Sequence, residues 1–268
     1  MLPIPDKPDH LGPDYAAQFT DRSVVAAYHL RPPYLDSVFD RLTDLIVDRP
    51  RTVLDVGTGT GAIARRLAVR VDRVDAVDPS REMIARGRRL PGGDAPNLRW
   101  LRGCAEDVVL SPPYALITAA ASLHWMDWTV VLPRFRDLLT PGGVLAVIED
   151  REVSPPWGAA LGPLIAAFST NRAYRPYELI DELETRGLFR QLGRYRTQAV
   201  PFFQPLTDHI ESFHARNGFS RDRMAPGRAA EFDQRLQLLL EPFATDTPDR
   251  IIRVERVNEI VWGLPAPK

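Results

Sequence analysis

The chain has 268 residues, 44% hydrophobic and 26% charged, enough to bury a sizeable core as a single domain with an appended or inserted cap. Its 34 Lys and Arg against 35 Asp and Glu leave no general field to attract nucleic acid or an anionic membrane. Cys104, the one cysteine, excludes an internal disulfide framework and a multi-cysteine metal site, and the lack of a basic-then-apolar leader or a run of about 18 apolar residues points to the cytoplasm.

Residues 1–14 are rich in Pro and Asp and read as a mobile arm. From 15 to 47, apolar residues such as Ala16, Phe19, Val24, Tyr28, Val38, Phe39, Leu42 and Leu45 recur at helical spacing broken at Pro32-Pro33, which predicts a cap of two helices with a kinked join. After Pro50 short apolar runs alternate with helical ones: strands at 52–56, 74–77, 99–101, 114–119 and 144–149, helices at 62–69, 80–90 and 128–139. Such alternation predicts an α/β fold, a mostly parallel sheet with helices on both faces, whose core spans 48–150. Farther on, 158–168 and 176–186 read as helical and 195–203 as extended. Segments 207–216 and 227–240 form a helical insertion across about 205–243, and 251–262 reads as a last strand completing 151–268.

The segment "VLDVGTGTGAIA", 53–64, places a glycine turn between a strand and a helix. Read as Gly57-x-Gly59-x-x-Ala62 it fits the dinucleotide fingerprint, so an NAD(P)-dependent oxidoreductase is one alternative. Asp55 argues against phosphates over the turn and suits the ammonium group of a methionine attached to a sulfonium. Asp78, in "AVDPS" at the end of the second strand, can accept from ribose hydroxyls of either cofactor class. A ligand-free tight turn, its glycines supplying positive φ, is the bland alternative.

"VLDVGTGTGAIA", "VDAVDPSREMI", "GCAEDVVL", "ALITAAASLHWMDW" and "LLTPGGVLAVIED" stand in the order and spacing of class I S-adenosylmethionine-dependent methyltransferases, and "YHLRPPY" resembles the Y-x-x-R-P-x-Y segment of their trans-aconitate methyltransferase-like, small-molecule branch. The resemblance covers about 15–150 and implies a Rossmann-like seven-stranded sheet whose last strand runs antiparallel between two others. It implies S-adenosylmethionine as cofactor and S-adenosylhomocysteine as product, with a non-catalytic binder of the same cofactor as a further alternative. By the same resemblance Asp55 and the turn Gly57, Thr58, Gly59 and Gly61 hold the methionine part. Arg31 pairs with its carboxylate, Asp78 holds the ribose, and Cys104, Ala105 and Glu106 border the adenine, with Pro79, Met83 and Ala119 completing the set. Cys104 departs from the Asp that many relatives carry there, and a thiol is a poorer acceptor for the adenine amino group.

"SPPY", 111–114, matches a catalytic tetrapeptide of DNA amino-methyltransferases, but it precedes the fourth strand instead of following it, so it reads as a turn. His124 and Trp125 follow that strand, where open α/β sheets put their ligands. His124 could serve as general base, with a rate falling near pH 6.5 as the imidazole protonates, or simply pack in the loop. Tyr15, Tyr28, Trp125 and His214 are the expected acceptor-pocket residues. Together with Phe19, Trp157, Phe168, Tyr174, Phe213 and Phe219 they suggest an apolar pocket under the caps for a small, partly hydrophobic molecule. His209 and His214 are five apart, on different helix faces, and no metal site is expected.

Overall fold

The computed structural model describes residues 7–266; residues 1–6 of the expected arm lie outside them. The rest of that arm is packed. Asp9–Leu11 forms a 3-10 turn with His10 and Leu11 at 3% and 2% exposure, and the Lys7 ammonium donates to the Met126 carbonyl at 2.9 Å. Buried apolar contact outweighs the Pro- and Asp-rich composition that suggested mobility.

The two predicted cap helices are in fact three short ones: α1 (Pro13–Ala16), α2 (Arg22–Ala27) and α3 (Asp36–Asp44), joined by 3-10 turns at Ala17–Thr20 and Tyr28–Leu30. Asp21 stands extended between the first two because its carboxylate is drawn to a distant loop. There it accepts from the Ser220 hydroxyl at 2.6 Å and pairs with Arg223 at 2.7 Å.

The alternating series then follows: β1 (Thr52–Val56), α4 (Ala64–Leu67), β2 (Arg73–Asp78), α5 (Arg81–Gly87), β3 (Leu98–Arg102), β4 (Tyr114–Ala120), α6 (Trp128–Leu138) and β5 (Leu139–Glu152). Every residue of β1 is buried, because helices cover both faces of the strand. Leu54 and Val56 pack into one core with Ile117, Val131, Leu132 and Phe135. Val53, one residue out of phase, packs into the other core with Phe39, Leu42, Ile63 and Leu67.

Beyond β5 come α7 (Gly158–Phe168), α8 (Leu179–Thr185), β6 (Phe189–Arg196), β7 (Val200–Pro205), α9 (Leu206–Ser212), α10 (Arg228–Leu240) and β8 (Ile251–Pro265). The sheet order is β3-β2-β1-β4-β5-β8-β6, with β7 also on β8. β8 is antiparallel to β5, β6 and β7, and the pairs β1–β2, β1–β4, β2–β3 and β4–β5 are parallel. The sheet therefore has eight strands, not seven. β6 pairs with Glu259 to Pro265 and β7 with Ile251 to Arg256, so two segments share one long partner. Between them Thr197 bonds Asn258 through its side chain, Asn258 N–H donating to the hydroxyl at 2.9 Å, and the predicted strand at 195–203 straddles that break.

α7, α9 and α10 close over the outer ends of β7 and β8 with a third core of Trp157, Phe168, Phe213, Phe219, Phe232 and Leu236. At the opposite margin Tyr114 is fully buried and its hydroxyl donates to Asp75 at 2.6 Å, so the tyrosine of "SPPY" cannot stack on a base. Asp75 is itself 0% exposed, with Arg73 and Arg99 at 3.5 Å. Tyr114→Phe removes the close donor from a buried carboxylate, and chemical denaturation should register a loss of about 1–3 kcal/mol. Unchanged stability would mean the two arginines satisfy Asp75 alone.

Candidate active site

At the carboxyl ends of β1 to β4 the loops and the first cap segment enclose a cavity of about 620 Å³. Gly57 and Gly59 form its floor. Asp78, Pro79, Ser80 and Met83 line one side, Gly103 to Asp107 the next, and Ala121, Ser122, Trp125 and Met126 the third. Pro13, Ala16, Ala17, Phe19 and Thr20 make the roof, with Tyr28 and Arg31 beside them.

The floor is shaped by glycine. Gly57 has φ 63°, and a side chain there would meet Ser122 Cβ at 2.4 Å; Gly59 has φ 56°, with the Tyr28 hydroxyl 3.1 Å from where a Cβ would sit. The turn spends its own amides internally. Thr58 N–H donates to the Val77 carbonyl at 2.9 Å, Gly61 N–H to the Thr58 carbonyl at 2.8 Å, and Gly59 N–H to Asp78 Oδ2 at 2.8 Å. Asp78 Oδ1 accepts from Ser80 N–H, also at 2.8 Å, and burial raises this carboxyl above the ordinary carboxylate range.

Several expected cofactor residues lie outside the cavity wall. Asp55 is 1% exposed and accepts from the Thr58 and Thr118 hydroxyls at 2.5 and 2.7 Å, so it braces the turn from behind. Thr58 faces Asp55, Ala119 is fully buried in the core, and Gly61 lies under Trp100, whose ring would be 2.4 Å from an added Cβ. Arg31, Gly57, Gly59, Asp78, Pro79, Met83, Cys104, Ala105 and Glu106 do line it.

Of the expected acceptor residues, Tyr28 and Trp125 line the cavity, and Phe19 stands 5.6 Å from Trp125, ring to ring. His214 does not. It is 0% exposed in the cap core, its ring nitrogens bonded to the Phe219 carbonyl and the Asp233 carboxylate at 2.7 Å each. Trp157, Phe168, Phe213 and Phe219 also belong to that core, Tyr174 is 59% exposed, and Tyr15 lies off the wall, its carbonyl accepting from Asn217. Aromatic content alone does not tell a cap's own core from a pocket. The roof of small residues and Ser122 went unassigned, although the run "AAS" at 120–122, facing a glycine turn, is the signal that marks close approach.

His124 sits in the 3-10 turn Leu123–Trp125, half-buried, its ring 4.6 Å from that of Trp125, and it is not part of the cavity wall. Burial, reinforced by the positive charges of Lys7, Arg31 and His10, lowers its pKa to about 3. The imidazole is therefore neutral and weakly basic at physiological pH, and the titration expected near 6.5 is displaced.

A parallel sheet with one antiparallel strand, a glycine turn after β1 and an acid ending β2 make a Rossmann-like α/β fold. Residues 53–143 match the methyltransferase domain family. An uncharacterized methyltransferase of Mycobacterium tuberculosis is 34% identical over 146 residues, 53% of this chain and 57% of the relative. The trans-aconitate 2-methyltransferase of Azoarcus sp. is 31% identical over 144 residues, 51% of this chain and 55% of that protein. The chain thus spans little more than half the length of these curated relatives. A solved structure from Anaeromyxobacter dehalogenans, a type II methyltransferase candidate, superposes with a TM-score of 0.62 at 25% identity over 89% of this chain and 99% of its own. Among the described residues no helix is long and apolar enough to cross a membrane.

Burial raises the Asp55 pKa from 3.8 to about 6, against the opposing Thr58 and Thr118 hydrogen bonds. The folded protein holds this proton more tightly than the unfolded chain does. Its stabilising contribution is complete below about pH 4 and is lost as the pH rises to about 6, a change of up to ~3 kcal/mol. Asp55→Asn should flatten the decline in stability across that window; an identical pH profile would place the charge elsewhere.

Proposed function

We propose that the chain transfers a methyl group from S-adenosylmethionine to a small, partly hydrophobic organic acceptor. One observation carries the choice of cofactor. The N–H groups of Thr58, Gly59 and Gly61 are engaged internally, which takes three of the turn's donors away from a pyrophosphate. Charge supports the same reading: Asp78, Glu106 and Asp107 line the cavity against one cation, Arg31, an acidic lining that suits a sulfonium and disfavours a dinucleotide.

In this reading each Asp78 oxygen keeps a lone pair for a ribose hydroxyl after serving Gly59 and Ser80. Met83 and Ala105 offer apolar surface to the adenine. Arg31, which donates to the Tyr28 hydroxyl at 3.2 Å and has no ion pair among the described residues, is free to hold the methionine carboxylate. The bound sulfonium supplies an activated methyl group. The protein's part is to exclude water under the roof of 13–20 and to align the acceptor between Tyr28, Phe19 and Trp125. Transfer of labelled methyl groups to small molecules of an extract tests the reaction, and calorimetry with S-adenosylmethionine and NADH tests the cofactor; NADH binding alone would overturn both.

Asp78→Ala should weaken S-adenosylhomocysteine binding by about 1.5–3 kcal/mol, the scale of a lost charge-assisted hydrogen bond. An unchanged dissociation constant would remove the ribose from this carboxylate. His124→Ala should lower kcat by less than about tenfold, short of the 10²–10⁴ of a lost general base. No His124-dependent loss of rate should occur between pH 5 and 7, since lowering the pH to 5 does not protonate a group titrating at about 3. An acid limb near 6.5 that vanishes in the variant would restore the histidine as base.

A further inference from the structure

Tyr28 and Arg31 reach the cavity from one short piece of chain, the 3-10 turn Tyr28–Leu30 and the residue after it. The Arg31 N–H closes that turn on the Tyr28 carbonyl at 3.3 Å, and the Arg31 guanidinium donates to the Tyr28 hydroxyl, its central carbon 5.1 Å from the ring centre. Whatever fixes the turn therefore fixes both side chains. The sequence leaves the turn unfinished. A helix running on would offer the Leu30 carbonyl a donor from residue 33 or 34, but the backbone becomes extended at Arg31 and Pro33 has no N–H.

The missing donor comes from 174 residues farther along the chain: Gln204, buried in β7, donates its side-chain amide N–H to the Leu30 carbonyl at 2.9 Å. With the nitrogen committed there, the amide oxygen faces His209 of α9 and accepts from its Nδ1 at 3.3 Å. His209 is buried against the rings of Trp157 and Phe213, 6.2 and 5.7 Å away, and burial lowers its pKa to about 4, so the ring is neutral and its one proton stays on Nδ1. Both ends of the buried amide are thus satisfied by partners that an apolar side chain could not serve. Beyond the prolines, Leu35 N–H donates to the Asn258 side-chain oxygen at 2.9 Å. Arg31 accordingly stands between two pins, one from β7 and one from β8.

We propose that Gln204, braced by His209, is a positioning residue that fixes the turn presenting Tyr28 and Arg31, so that the helical insertion sets the grip of the cavity on the methionine carboxylate. The inference rests on the reading of Arg31 as the partner of that carboxylate. Without the pin the turn still lies beside the glycine floor, but its arginine must be ordered each time the ligand binds, which weakens binding.

Two nucleosides separate positioning from general support: S-adenosylhomocysteine carries the methionine carboxylate, methylthioadenosine lacks it, and both offer a ribose to Asp78. Gln204→Met keeps the length of the side chain and removes its donor. In calorimetry on the full chain it should bind S-adenosylhomocysteine about tenfold more weakly and methylthioadenosine as the wild type does. His209→Phe removes only the brace and should shift S-adenosylhomocysteine affinity in the same direction by less, which carries the test if Gln204→Met does not fold. Arg31→Met alone should weaken S-adenosylhomocysteine binding, and adding Gln204→Met to it should cause no further loss, because the group being positioned is gone. Equal weakening of both nucleosides, unchanged affinity for both, or additive losses in the double variant would overturn the positioning role. Full affinity in Arg31→Met contradicts the reading of Arg31 and the inference with it. Amide hydrogen exchange without ligand keeps the two failures apart, since Gln204→Met should release the Arg31 N–H to exchange about tenfold faster whatever Arg31 holds, and exchange that stays slow would overturn the pin itself.

Discussion

The site depends on the bond between the Asp78 carboxylate and the Gly59 amide, 2.8 Å long and buried beneath the cavity floor. It ties the end of β2 to the turn after β1, and the second oxygen of the same carboxylate fixes Ser80, whose hydroxyl accepts from Met83 N–H at the start of α5. Two parallel strands and a helix start are thereby held at one point. The turn can be tight only because its glycines take positive φ, and the amides of Thr58, Gly59 and Gly61 turn inward because the Val77 carbonyl, Asp78 and the Thr58 carbonyl receive them. A carboxylate committed in this way is held in one place on the cavity wall, at the mouth of the sheet.

Around this point the cavity wall carries charges of both signs: Asp78, Glu106 and Asp107 with Arg31, and Glu106 is tied to the loop after β4 by accepting from Asp127 N–H at 2.9 Å. The roof belongs to the same arrangement. It is held by Asp21 to Ser220 and Arg223, and by Gln18, whose side-chain oxygen accepts from Gly218 N–H at 2.9 Å, so that the helical insertion secures the N-terminal cap.

The parallel core was legible because buried strands advertise themselves. β1 is Thr52–Val56 as read, β2 and β3 run one residue beyond expectation at both ends, and β4 runs one residue beyond it at its carboxyl end. Asp78 and the glycines were legible for the same reason: their chemistry is local to a strand end. What composition could not convey was which layer a residue joins. Lys7 and His10 sit in a Pro-rich stretch that reads as loose, yet they are fixed by Met126 and Asn171, both more than a hundred residues away. His214 is on an aromatic-rich helical segment, but contacts with Phe219 and Asp233 place it in the cap's interior. Asp55 has the right type and spacing for a ligand contact, and only the Thr58 and Thr118 hydroxyls reveal that it faces backwards.

The most direct measurement is the titration of Asp78 by carbonyl-carbon nuclear magnetic resonance, in the free protein and at saturating S-adenosylhomocysteine. Burial should place the free carboxyl above the ordinary range, and ribose hydroxyls donating to the ionised form should bring it back down when the nucleoside binds. A titration that the bound nucleoside leaves unmoved would contradict the account, because the carboxylate on which the site depends would then have no part in holding the cofactor.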